Sequence, residues 1–233
     1  MIDFHTHILP NMDDGSDSVD TSTKILNMLR NDGVKLVCLT SHFYPRNESI
    51  DDFLSRRQES FNKLNYKGLD LRLGAEVHYY RGISASEDIE KLCIEGTNIL
   101  LLELSFSSPI NDNVIKDIIN LKNRGFKVIL AHIERYNINE STLIQLHNNG
   151  ILLQCNSESF VGYFNSRNTL KWLEKGLIDV IGSDTHDLKD RKPNYGKAMD
   201  LIYNKLGEDF YKKFIDKTYK IIEKKWKRYL LVY

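Results

Sequence analysis

Apolar residues along the chain fall into two alternating patterns. Short runs rich in β-branched residues lie at about 2–5, 35–40, 70–77, 98–104, 126–131, 151–155 and 178–182, and their length and composition predict buried strands. Between them, apolar positions recur at helical spacing over about 18–32, 49–65, 111–124, 140–149, 166–175 and 195–206, with 208–228 as a closing helix. Alternation of this kind builds parallel βα units, in either an open doubly wound sheet or a closed barrel. Periodicity leaves that choice open. No Gly-x-Gly-x-x-Gly or Walker-type loop follows any of the runs, so the common nucleotide-binding turns are missing.

At 233 residues, with 41% hydrophobic and 27% charged content, the chain is sized for one domain with a sizeable core. Lys+Arg and Asp+Glu both number 32, so no global field draws in nucleic acid or an anionic membrane, and charge selectivity has to be local. No run approaches the roughly 18 apolar residues of a membrane helix. The opening MIDFHTH is unlike a signal segment. A cytoplasmic protein without stable membrane insertion is expected. Cys38, Cys93 and Cys155 sit singly in apolar contexts, without Cys-x-x-Cys spacing, and predict buried thiols rather than disulfides or a thiolate zinc site.

Histidines and carboxylates gather at the carboxyl ends of the predicted strands. The first ends in His5-Thr6-His7, the second runs into His42, and the third closes on Glu76 with His78 beyond. The fourth carries Glu103, the fifth ends at His132, the sixth leads to Asn156, and the seventh delivers Asp184-Thr185-His186. In a parallel β/α fold those ends share one side, where active sites are built. Residues i and i+2 of a strand point the same way, so His5 with His7, and Asp184 with His186, can aim at one point. Imidazole and carboxylate without thiolate suit divalent ions such as zinc, manganese or iron. Asp14, in the acidic MDDGS turn, fits either a ligand or a plain turn residue. Glu103 lies in the apolar stretch ILLLELSF, where an unpartnered carboxylate would be costly to bury.

The segments MIDFHTHILPNMDDGS, SH at 41–42, LGAEVHYY, LLELSF, VILAHIERY, QCNSES and IGSDTHDLKDR closely resemble, in order and spacing, the bacterial capsule and exopolysaccharide tyrosine-protein phosphatases of the polymerase-and-histidinol-phosphatase (PHP) superfamily. The resemblance runs from Met1 to roughly Leu206. It implies a distorted (β/α)7 barrel of TIM-like type holding three divalent ions, usually manganese, with iron, zinc or magnesium as alternatives. By position it implies that His5, His7, Glu76 and Asp184 hold one ion. Glu76 would bridge to a second ion shared with Glu103 and His132, while Asp14, His42 and His186 hold the third. Arg135 and Arg191 would grip phosphate, a task suited to the bidentate guanidinium. Four carboxylates against three divalent ions leave an excess of about two positive charges, which favours an anionic substrate.

The implied reaction is hydrolysis of a phosphomonoester by metal-activated hydroxide, with phosphotyrosine on a protein as substrate and the tail of a tyrosine autokinase as the implied partner. Each cysteine lacks an arginine six positions on, so the thiol-based route is closed. His78 and Asp187 are candidates for supporting or proton-handling roles. Rival readings are a small-molecule phosphatase of the histidinol-phosphate type, a PHP nuclease module, and a metal-stabilised scaffold without activity. Neutral net charge speaks against the nuclease. The basic and apolar segment 218–233 reads as a packed terminal helix with a solvated lysine face, or as a membrane-surface or partner helix. The sequence leaves the oligomeric state open.

Overall fold

Every residue of β1, Ile2–Thr6, is buried, as expected of a strand covered on both faces. The computed structural model describes residues 1–106, 110–161 and 166–223. Eight further strands follow among the described residues: β2 Leu36–Leu39, β3 His42–Phe43, β4 Asp70–Leu73, β5 Glu76–His78, β6 Ile99–Glu103, β7 Lys127–Leu130, β8 Leu152–Asn156 and β9 Val180–Gly182. All pairings are parallel, in the orders β1-β2-β4 and β3-β5-β6-β7-β8-β9. The predicted run 70–77 is interrupted at Gly74-Ala75, and a short β3 continues β2 toward the site. With these breaks counted as kinks in single strands, the sheet has the seven-stranded, distorted β/α barrel form. Curling brings β9 against β1, where the Asp184 amide donates to the His5 carbonyl at 2.8 Å and the His7 amide to the Thr185 carbonyl at 2.9 Å. Gly182 permits this approach, since a Cβ there would lie 2.4 Å from that of His5.

The helices are α1 Val19–Asn31, α2 Ile50–Lys63, α3 Asp112–Asn123, α4 Glu140–Asn148, α5 Glu158–Val161, α6 Ser166–Glu174, α7 Tyr195–Leu206 and α8 Glu208–Glu223. Ser18, Ser49, Asn111 and Asn139 cap α1 to α4, each side-chain oxygen accepting from a backbone amide of the first turn. Short α5 was not predicted, and 224–228 of the predicted closing helix, like the rest of the tail to 233, lie outside the described residues. Within them, Thr218 and Ile222 of α8 are buried, as a packed helix requires. Among the described residues no helix is long and apolar enough to cross a membrane.

Alternate strand residues feed two cores. Leu36, Cys38, Ile99, Leu101, Ile129, Ala131 and Val180 cluster together with Ile2 and Phe4 on the inner side. Their neighbours Val37, Leu39, Leu100, Leu102, Val128, Leu130 and Ile181 pack with helix residues such as Ile25, Leu29, Ile118 and Leu146. In β1 the register slips: Asp3 pairs with Val37 but Thr6 with Leu39, so β1 holds one extra residue. This bulge changes the phase, letting His5 and His7 turn to the site although Ile2 and Phe4 already face the inner core.

Candidate metal centre

Six strands bring the nine predicted ligands together at their carboxyl ends. His5 belongs to β1 and His7 follows it, with Asp14 in the next turn. His42 lies on β3, Glu76 on β5 and Glu103 on β6, while His132 follows β7 and Asp184 and His186 follow β9. His5, His7, Glu76, Glu103, His132, Asp184 and His186 are buried, His42 is half-buried, and Asp14 stands at the open mouth.

Donor atoms crowd within a few ångströms of one another. His5 Nε2 lies 3.0 Å from His7 Nε2, 3.3 Å from Glu76 Oε1 and 3.6 Å from Asp184 Oδ1. His7 Nε2 lies 3.4 Å from Asp184 Oδ1. His132 Nε2 is 2.8 Å from Glu76 Oε1 and 3.5 Å from Glu103 Oε1. Asp14 Oδ1 sits 3.4 Å from His42 Nε2 and 3.3 Å from His186 Nε2. His42 departs from the simple grouping of the sequence reading: its Nε2 faces Asp14, but its Nδ1 faces Glu76 Oε2 at 2.8 Å. Among the described residues three sets are thereby able to hold an ion: His5, His7 and Asp184; His7, Asp14, His42 and His186; and His42, Glu76 and Glu103.

These contacts fit cation ligands better than a hydrogen-bond network. Donors held about 2.0–2.2 Å from one cation fall about 3 Å apart, the spacing seen here. Despite close neighbours, His42 Nδ1, Glu76 Oε2 and His186 Nε2 are buried without a hydrogen bond of acceptable geometry. Buried polar atoms are normally satisfied, and three such atoms in one cluster fit donors turned toward a shared cation.

Arg135 and Arg191 stand at the rim and converge on one carboxylate. Arg135 Nη1 lies 2.9 Å and Arg191 Nη2 2.8 Å from Asp184 Oδ2, and Arg191 Nη1 lies 3.5 Å from Asp14 Oδ2. Both are about one-third exposed. Asp187, a candidate proton-handling group, instead accepts from the amides of Lys189 and Arg191 and shapes the turn that carries Arg191. His78 Nδ1 contacts Glu103 Oε2 at 3.1 Å.

The family model for capsular polysaccharide synthesis proteins, CpsB/CapC, matches residues 1–223. This chain belongs to the CpsB/CapC family. It is 31% identical to the tyrosine-protein phosphatase CpsB of Streptococcus pneumoniae, over 95% of this chain and 98% of that protein. It is 26% identical to the CpsB of Streptococcus agalactiae, covering 90% and 92%. Its fold matches a crystal structure from work on YwqE of Bacillus subtilis and CpsB of Streptococcus pneumoniae, described as metal-dependent tyrosine phosphatases, with TM-score 0.78 and 22% identity over 95% of this chain and 94% of the other.

In this CpsB/CapC chain the candidate ligands are held by residues that the sequence did not single out. Asp13 Oδ2 accepts from His7 Nδ1 at 2.8 Å and from the His42 amide at 2.9 Å. Gln154 Oε1 accepts from His5 Nδ1 at 3.1 Å and from the His132 amide at 2.9 Å. Its amide nitrogen donates to Asn156, which donates to Asp184 Oδ2, so β8 supplies a scaffold rather than a ligand. Such bonds fix which imidazole nitrogen is left to face a cation. His132 and Asp184 also adopt left-handed backbone conformations, φ 32° and 51°, which non-glycine residues seldom tolerate and which concentrate at functional sites.

The carboxylates dominate the electrostatics. Burial pulls the His7 and His42 imidazolium forms down, but Asp13 and Glu76 hold His7 at about 9, and Asp14 and Glu76 hold His42 at about 11. Burial likewise opposes charge on His132, yet Glu103 and Glu76 raise it to about 9. The His186 and His42 imidazoles beside Asp14 hold its carboxyl far below the usual range.

Proposed function

We propose that this chain is a divalent-metal-dependent phosphatase that hydrolyses phosphotyrosine on proteins. The convergence of nine imidazole and carboxylate side chains, several of them orphaned, beside two arginines carries the reading. The tyrosine-phosphatase names of the family relatives support it.

Short donor distances support the nine-residue set implied by the resemblance, His5, His7, Asp14, His42, Glu76, Glu103, His132, Asp184 and His186, for three ions, with Glu76 grouped with His42 and Glu103 rather than with His5, His7 and Asp184, and His132 outside the three groups but within 3.5 Å of Glu76 and Glu103. Manganese is our assignment, with iron, zinc and magnesium compatible with nitrogen and oxygen donors. Bound, such ions acidify water toward nucleophilic strength and offset phosphoryl charge. The protein's own work is positional. Asp13 and Gln154 hold His7 and His5 with Nε2 toward the centre. Arg135 and Arg191, now sharing Asp184, are free at the rim to turn their forks onto phosphate oxygens. Cys38, Cys93 and Cys155 are buried and burial raises their thiols, so none offers a nucleophile. We assign the protein to the cytoplasm, as one catalytic domain acting on an autokinase tail.

The test is turnover of p-nitrophenyl phosphate and of a phosphotyrosyl peptide after chelation and after return of manganese. Loss and recovery of both activities are expected. Full turnover by metal-free protein would end the proposal, and histidinol phosphate cleaved faster than the peptide would replace it with the small-molecule reading.

A further inference from the structure

A cavity of about 540 Å3 opens beside the metal centre, between the segment after β3 and the turn after β5. Tyr44, Arg46, His78, Tyr80, Arg81 and Leu104 are among its walls. It adjoins the centre directly: the Tyr44 ring lies 5.1 Å from that of His42 and 5.4 Å from that of His78. On the other side of Tyr44 a second cavity, of about 660 Å3, is lined by Asp13, Asp14, Glu48 and Asp52. Arg56 also lines that one, but it is already paired with Glu48 at 2.7 Å. Arg46 and Arg81, by contrast, are exposed and have no ion-pair partner among the described residues. Tyr44 therefore divides a positive, aromatic cavity from a negative one.

The positive cavity is built in advance. On α3, Asp117 accepts from the Tyr79 hydroxyl at 2.8 Å, the Gly82 amide at 3.2 Å and the Ser84 hydroxyl at 3.1 Å, tying the turn that carries Tyr80 and Arg81. A wall fixed before binding spares the cost of ordering it on contact.

We propose that this cavity docks the residues flanking the phosphotyrosine, and that it selects substrate chains with an acidic residue next to an apolar or aromatic one. The inference rests on the protein-phosphatase reading and adds a substrate class to it. With phosphate at the cations, the tyrosine's neighbours lie along the rim, each step of extended chain advancing about 3.3 Å. Flanking carboxylates then meet unpaired guanidinium groups in one direction and like charge in the other. Rim charges of this kind act on encounter and binding more than on the chemical step.

Three phosphotyrosyl peptides, flanked by glutamate, by glutamine or by lysine, are assayed with wild-type holoenzyme and with the Arg46→Glu/Arg81→Glu double variant. Wild type should prefer the glutamate peptide over the lysine peptide by about tenfold in kcat/KM, mainly through KM, and 0.5 M salt should flatten the difference. In the double variant the preference should vanish or invert. Equal kcat/KM for the three peptides with wild type refutes the docking site alone, as does a preference that survives in the variant. Turnover of p-nitrophenyl phosphate with none of any peptide removes the protein-phosphatase reading, and the docking site falls with it.

Discussion

Asp13 Oδ2 lies 2.8 Å from His7 Nδ1, and the same oxygen accepts the His42 amide, so one carboxylate fixes two candidate ligands from different parts of the sheet. The arrangement forces His7 Nε2 toward His5, Glu76 and Asp184. Orienting carboxylates of this type commonly account for 10–100-fold in metal affinity. Asp13→Asn should weaken metal binding by about that factor while excess metal restores much of the turnover. Unaltered affinity in a metal titration would remove Asp13 from this role.

Proton bookkeeping at the centre gives a pH dependence. His7 at about 9, His42 at about 11 and His132 at about 9 are protonated at neutral pH in the metal-free centre, whereas imidazole binds a cation only when neutral. Metal binding must release these protons, so affinity should fall with decreasing pH and rise toward pH 9. Calorimetry at pH 7 in buffers of different ionisation enthalpy should show release of about three protons on full loading. Buffer-independent heats would contradict the assignment.

Barrel closure depends on Gly182. An added methyl would meet the Cβ of His5 and press on the β1–β9 contact. Overpacking of this sort costs about 1–3 kcal/mol. Gly182→Ala should therefore lower Tm by several degrees and weaken metal binding together, and a Tm within one degree of wild type would show that the strands can yield.

The rim arginines should act on phosphate rather than on metal. Arg191→Ala or Arg135→Ala is expected to lower kcat/KM for aryl phosphates about 10²-fold, with metal content retained. Arg191→Lys should recover little of the loss, because an ammonium cannot bind two oxygens in a fork. Normal kinetics in both alanine variants would exclude the clamp.

The candidate ligands are legible because polar residues ending apolar runs are expensive unless they meet a partner, and Glu103 in ILLLELSF or His132 after VILA carries that signal in the sequence alone. The supporting residues carry none. Asp13 in DDGS satisfies ordinary turn chemistry, and Gln154 in ILLQCN reads as any polar residue on a strand. The β1 bulge and the break at Gly74 were hidden for a related reason: register is a property of paired strands, so it emerges only when the partner is known. Helix bounds came closer, since capping residues such as Ser18 and Asn139 are local signals. Periodicity could not choose between open sheet and barrel, because closure rests on contacts between Gly182 and His5, which stand far apart in the chain.

Anomalous diffraction from crystals grown with manganese tests the shared centre most directly. Scattering peaks should stand about 2.0–2.4 Å from donor atoms of His5, His7, Glu76, Glu103, His132 and Asp184, with another between Asp14, His42 and His186. Catalytically active crystals with no peak among these side chains would contradict the account.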